Sequence, residues 1–238
     1  MNIYNLIKND LRKTAEENNL LNEKISVKCR ALSVKEAIGD TEHDDYPIVK
    51  GKEVMVQADF KGSKGQAFSD EFETKEYTVK EIIELELDNN KNRASFISSL
   101  NAIYRHLEKC DKTIHCKDNE PLECAKKLDE IISPYGKILL IGFQPRFCEY
   151  ISSKKELRVL DIDKDNIEKN KFGVIVESPE KLEEAIDWCD MIFATGSTIV
   201  NGTIEEFIDA EKPKIFYGIT ISAAASILNL KTWCKEGH

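Results

Sequence analysis

The run Thr195-Gly196-Ser197-Thr198-Ile199-Val200-Asn201-Gly202-Thr203 places four hydroxyls, two glycines and one amide directly after an apolar segment. Hydroxyls and amides hold polar ligands by hydrogen bonds, and glycine lets the backbone come close to them. Thr203 and Glu206 have capping-box spacing, so a helix is expected to start at Thr203. Free N–H groups at the positive end of that helix would favour an anion or a polar ligand. The same residue types also make ordinary strand-to-helix turns. Spacing alone leaves both readings open.

Three further places could carry chemistry. In "KGSKGQAF", Lys64, Gly65 and Gln66 offer a positive charge, close backbone approach and an amide, or else a solvated loop. Asp161 follows Gly142 at about the distance that separates a phosphate-binding turn from a ribose-binding acid. However, "GFQPRF" is not G-x-G-x-x-G, so ordinary nicotinamide binding is not expected, and an aspartate after a strand also serves as a cap. Cys234 and His238 in "WCKEGH" are a thiol and an imidazole four residues apart, ligands suited to zinc, copper or a similar transition or heavy metal. Two ligands do not complete a site, so others would come from Cys148 or from a second subunit of a homo-oligomer. Cys110, His115, Cys116 and Cys124 are close in sequence but irregularly spaced, and Cys124 shares a helical face with Leu128 and Ile131, which favours the core.

The elements that position these residues show two rhythms. Residues 1–90 read as an amphipathic helix, strands from Lys24 and Lys52, an aperiodic stretch through "KGSKGQAFSDEF" and a helix capped by Thr78 and Glu81, an α+β pattern. A polar loop with the acidic run "EHDD" separates the two strands. Residues 91–238 open with helices and then alternate short apolar strands with helices from Lys137, which implies a parallel sheet covered on both faces, Rossmann-like in outline. The junction is expected in "DNNKNR". Ligands of open parallel sheets bind beyond the carboxyl ends of the strands, where Gly142, Asp161, Thr195 and Gly218 fall.

Composition narrows the partners. A net charge of −9 over 238 residues argues against nucleic acid. No apolar run reaches the roughly 20 residues of a membrane span, and the N-terminus lacks a signal-peptide core. Seven cysteines with no C-x-x-C pair suit a reducing compartment, so a cytoplasmic location is expected.

"TGSTIVNGTIEEFI" from Thr195, together with "KGSKGQAFSD" from Lys61, resembles the putative heavy-metal chelation family, domain of unknown function 364. The resemblance covers nearly the whole chain. It implies an α/β protein with a small enolase N-terminal-like domain followed by a Rossmann-like domain, and a site at their interface. The chemistry of enolase's barrel is not implied. The resulting expectation is binding of a metal ion or an anionic metal complex between Lys64, Gly65 and Gln66 on one side and the 195–203 loop on the other. The alternative is an enzyme using a nucleotide or S-adenosylmethionine-type ligand, with Asp161 on a ribose. Whether the protein is an enzyme is left open by the residues.

Overall fold

The computed structural model describes residues 2–28, 48, 51 and 53–238. The expected continuation of the first strand through Cys29 and the acidic run at 42–45 lie outside the described residues.

Helix α1 (Ile3–Glu17) is capped by Asn2, whose side chain accepts from the Asn5 amide. Its Ile7, Leu11 and Ala15, spaced by four, are wholly buried on one face. The strands β1 (Lys24–Lys28), β2 (Val54–Phe60), β3 (Ser63–Ser69) and β4 (Lys75–Thr78) form an antiparallel sheet in the order β3-β2-β1-β4. Strand β3 corrects the aperiodic reading of "KGSKGQAF". Lys61 and Gly62, both at positive φ (49° and 86°), make a two-residue hairpin that returns the chain alongside β2. Alternation is hidden here because β3 is covered by a helix, and Gly65 is part of the contact. A Cβ on Gly65 would lie 2.2 Å from the Ala102 backbone nitrogen.

Helix α2 (Val79–Glu84) begins with the expected reciprocal capping box of Thr78 and Glu81. Helix α3 (Asn90–His106) starts at the expected junction, yet it packs across β2 and β3. It is the helix that Gly65 meets.

The second sheet has the order β11-β10-β9-β5-β6-β8-β7. Its strands are β5 (Lys137–Ile141), β6 (Glu156–Leu160), β7 (Asn170–Lys171), β8 (Val174–Glu177), β9 (Met191–Thr195), β10 (Lys214–Tyr217) and β11 (Thr232–Trp233). All its pairings are parallel except β7 with β8. The chain builds outward from β5 through β6 to β8, then restarts on the other side with β9, so the topological switch lies between β5 and β9. Connecting helices are α4 (Glu120–Lys126), α5 (Asp129–Ile132), α6 (Pro145–Ser152), α7 (Leu182–Trp188), α8 (Thr198–Asn201) and α9 (Ser222–Leu228). Along β5, Ile138 and Leu140 face one core while Leu139 faces the other. The core containing Leu139 also holds Ile7, Phe60 and Ile97, so the two sheets share it.

The helix expected from Thr203 does not form. One turn of helix, α8, ends at Gly202 (φ 83°), and a 3-10 turn, Ile204–Glu206, follows. Thr203 has φ −89° and ψ −8° and makes no capping bond, because a cap reaches the following amides from an extended backbone.

Asn101 of α3 ties the halves together. Its Nδ2 donates to the carbonyls of Gln66 (3.0 Å), Thr220 (3.0 Å) and Ile219 (3.3 Å), and its Oδ1 accepts from the Ala223 amide (2.9 Å). It is wholly buried. Asn101→Leu keeps the size but strands those backbone groups without a partner. It is expected to cost on the order of 3 kcal/mol, measured as a lowered urea midpoint with unchanged slope. A midpoint within error of the parent would show that the junction does not depend on this amide.

Candidate functional site

The carboxyl ends of the parallel strands converge at the switch point. Gly142 follows β5 at φ 86°, and a Cβ there would come within 2.6 Å of Thr195 Cγ2 across the crevice. Tyr217, at the end of β10, donates its hydroxyl to the Gly142 carbonyl at 2.7 Å. Asp161, after β6, accepts from the amides of Phe143 (3.0 Å) and Asp163 (2.9 Å) and from Asn166 Nδ2 (3.1 Å). It therefore knots two strand-end loops together. Thr198 donates its hydroxyl to the Thr195 carbonyl at 2.8 Å, which holds the opening turn of α8. One turn has too few aligned peptide dipoles to make the expected anion cradle.

These residues border a cavity of about 410 Å³. Of the expected site residues, Gly142, Asp161, Thr195, Ser197, Thr198, Asn201, Thr203 and Cys234 line it. The opposite wall comes from the first half of the chain, through Glu53 just before β2, Phe68 on β3, and Asp70 beyond it.

Lys64, Gly65 and Gln66 are not in that wall. Lys64 is exposed, Gly65 is pressed against α3, and Gln66 bridges Gln57 Oε1 (2.9 Å) and the His115 amide (2.8 Å). The glycine-containing strand supports the cavity from behind, and its continuation at Phe68 and Asp70 reaches it. Gly196 packs against Ile221, and Gly202 lies beside the Arg93 guanidinium, so both glycines serve the backbone path. The C-terminal segment is folded back. The Thr113 and Ile114 amides donate to the His238 carbonyl at 3.0 and 2.8 Å, and the His238 amide donates to Ile114 at 2.9 Å. This turns Cys234 inward while the His238 imidazole stays exposed, 3.3 Å from Glu120. The expected Cys234–His238 pair is thus divided between cavity and surface.

Cys124 packs in the core with Leu128 and Ile131, as expected, and its part of the irregularly spaced group 115–124 also borders the cavity. His115, Cys116 and Cys124 all line the cavity beside Cys234 and Trp233. Burial pushes the Cys116 thiol well up, with Cys234 and then Cys124 adding to the effect, and it pushes Cys234 up to about 11. Burial also lowers His115 to about 4, so the ring is neutral. Its Nδ1 lies 2.5 Å from the Cys116 carbonyl and must carry the proton, leaving Nε2 as the acceptor nitrogen.

The other end is acidic. Glu53 lies deep in the protein with part of its surface open to the cavity. Burial, with the charges of Asp161, Asp70 and Asp163 adding to it, raises its pKa to about 7. Glu53, Asp70, Asp161, Asp163 and Glu206 are all in the lining, and among the described lining residues there is no lysine or arginine. That charge runs against an anionic occupant. The thiols and imidazole have the right chemistry for a soft metal. Even so, among the described residues no three His, Cys, Asp or Glu side chains converge as a ready coordination sphere.

Comparison with known proteins agrees with the architecture. Residues 127–230 match the family described as putative heavy-metal chelation, domain of unknown function 364. Two solved structures from that family, both of proteins of unknown function, share the fold. One, from Pyrococcus horikoshii, is 16% identical with a TM-score of 0.58, over 92% of this chain and 80% of that one. The other, from Desulfitobacterium hafniense, is 11% identical with a TM-score of 0.59, over 94% and 80%. No curated protein matches. No helix among the described residues is long and apolar enough to cross a membrane.

Glu53 makes a pH prediction. Its folded pKa of about 7 exceeds the ordinary 4.5, so the folded state holds a proton that the unfolded chain has lost between those values. Its contribution therefore destabilises the protein as pH rises through that window, with the full effect above about 7. Glu53→Gln is expected to lose less stability than the parent between about pH 5 and about pH 8, followed by urea midpoints. Equal losses in the two proteins would contradict the assignment.

Proposed function

We propose that this protein binds a metal ion, or a small molecule carrying one, in the cleft between its two sheets. The observation that carries the reading is that three thiols and a neutral imidazole share one cavity with a group of carboxylates. Cys116, Cys124, Cys234 and His115 Nε2 would supply soft donors, and the carboxylates would offset positive charge. Because no complete sphere is preformed, an ion that arrives with some ligands of its own needs only one or two from the protein. The acidic lining favours a cationic or neutral complex over an anionic one. No lysine or arginine from the "KGSKGQAF" strand enters this role.

The small unit is read as enolase N-terminal-like, and the doubly wound strand order supports a Rossmann-like second unit. The six described cysteines are all free thiols, which suits the cytoplasm. A nucleotide or S-adenosylmethionine enzyme finds less support. Asp161, which would hold the ribose, already accepts from two amides and from Asn166.

Binding must displace protons from the Cys116 and Cys234 thiols, which burial holds above their usual range, so affinity should rise with pH. Anaerobic titration of the reduced protein with Cd²⁺, read by the thiolate-to-metal charge-transfer band, is expected to saturate with proton release. The Cys116→Ser, Cys124→Ser, Cys234→Ser triple variant should lose the band and most of the affinity. Unchanged Cd²⁺ affinity in the triple variant, with folding intact by circular dichroism, would refute the site.

A further inference from the structure

We propose that the cleft binds an uncharged, hydroxyl-rich ring compound, sugar-like in its chemistry, along the edge formed by Ser197, Asn201 and Thr203. This rests on the cleft being the binding site, as read above, and uses residues other than the thiols.

The support is a set of polar side chains that do no structural work. Ser197 is only 9% exposed and lines the cavity, yet its hydroxyl has no hydrogen-bond partner among the described residues. Unlike the Trp233 indole nitrogen, which protein seals off, Ser197 Oγ keeps accessible surface, and the space beside it is the cavity. Ser197 stands at the cap position of α8 without capping it. A cap reaches the following amides from an extended backbone, whereas Ser197 has φ −64° and ψ −16°. Thr203 stands likewise before the 3-10 turn and makes no capping bond. The bonds of Asn201 run through its backbone, and among the described residues its side-chain amide has none. Thr198 gives the contrast, because its hydroxyl is already tied to the Thr195 carbonyl.

The kind of group that is free decides the kind of ligand. A buried polar group without a partner costs free energy, which an occupant that bonds to it recovers. Ser197 and Thr203 can donate and accept, and the Asn201 amide does both through separate atoms. Glu206, which borders the cavity three residues after Thr203, accepts when ionised. An ammonium group can only donate and a carboxylate can only accept. A ligand hydroxyl donates to Glu206 and accepts from Asn201 Nδ2 with the same oxygen, so several hydroxyls on one ring match this edge. The described lining offers no lysine or arginine to pair with an anion. Phe143 and Phe147 supply apolar surface for the C–H faces of such a ring, and about 410 Å³ is room for an organic molecule.

The test uses five phenyl ethers of six-membered rings on the full reduced chain, each titrated by calorimetry at neutral pH with chelator present. Three are hydroxylated and neutral: phenyl glucoside, phenyl galactoside and phenyl mannoside. Two lack hydroxyls: 4-phenoxytetrahydropyran, which is neutral, and 4-phenoxypiperidine, which is cationic. At least one glycoside is expected to bind, and about tenfold more tightly than either unhydroxylated probe. Ser197→Ala and Asn201→Ala should each weaken that glycoside about fivefold. Because Ser197 Oγ bonds nothing in the protein, Ser197→Ala should also keep or raise the urea midpoint, whereas Thr198→Val should lower it. No binding of any glycoside, equal or tighter binding of either unhydroxylated probe, or unchanged affinity in both alanine variants would overturn the proposal. A lowered midpoint in Ser197→Ala with unchanged affinity would show a structural hydroxyl and overturn it too. The two readings fail separately. Cd²⁺ bound by the thiols with no preference for glycosides removes this inference and leaves the metal site. A glycoside preference lost in Ser197→Ala, beside a failed Cd²⁺ titration, keeps this inference and removes the metal.

Discussion

The amide of Asn101 is the constraint on which the cleft depends. One side chain bonds the backbone of β3 at Gln66 and the loop after β10 at Ile219 and Thr220, and it also anchors the start of α9 at Ala223. Beside it, Phe68 donates its amide to Thr220 Oγ1 at 3.2 Å. These bonds set the antiparallel sheet against the carboxyl ends of the parallel one. Phe68 and Asp70 consequently face Gly142, Asp161 and Thr195. Gly65 makes the approach feasible, because only a hydrogen fits where β3 meets α3. Tyr4 adds a second tie by donating to the Ile199 carbonyl at 2.7 Å, which steadies the base of α8 from the N-terminal helix.

Burying this junction has an electrostatic cost that appears at the cavity. Removed from water, Glu53 and the Cys116 and Cys234 thiols lose hydration of their charged forms and rise in pKa, while the His115 imidazole falls. Glu53 regains its full charge beside a positive ligand, and Cys116 and Cys234 release protons to a soft metal. Asp161 shows the competing effect. Burial raises it, while bonds from Asp163, Phe143 and Asn166 pull it down, as befits an acid whose main work is to hold loops.

Much of the second half was legible in the sequence. Short apolar runs such as "KILLIG" and "CDMIFATG" can bury both faces only in a covered parallel sheet, and the rule that ligands collect at strand ends then points to Gly142, Asp161 and Thr195. The Thr78–Glu81 box was legible because a capping box is local. The Thr203–Glu206 pair has the same spacing and failed, because Gly202 ends the preceding turn and leaves Thr203 in the wrong backbone region. Glycine in "KGSKGQAF" signalled close approach correctly, but the approaching partner is a helix and not a ligand. What stayed hidden is what only tertiary folding assembles. Glu53 and Asp70 are distant in sequence from Asp161, and the thiols share a cavity only because β11 returns Trp233 and Cys234 to the edge of β10. His238 illustrates the limit of adjacency: four residues from Cys234, it is turned to the surface by backbone pairing with Ile114.

The central claim is that one cavity between the sheets is the binding site and that its thiol end receives the metal. Anomalous diffraction from anaerobic crystals equilibrated with Cd²⁺ tests it most directly. The account predicts a dominant peak inside the cavity, within bonding distance of at least one of Cys116, Cys124 and Cys234. A dominant peak elsewhere, with the cavity free of anomalous signal, would contradict it.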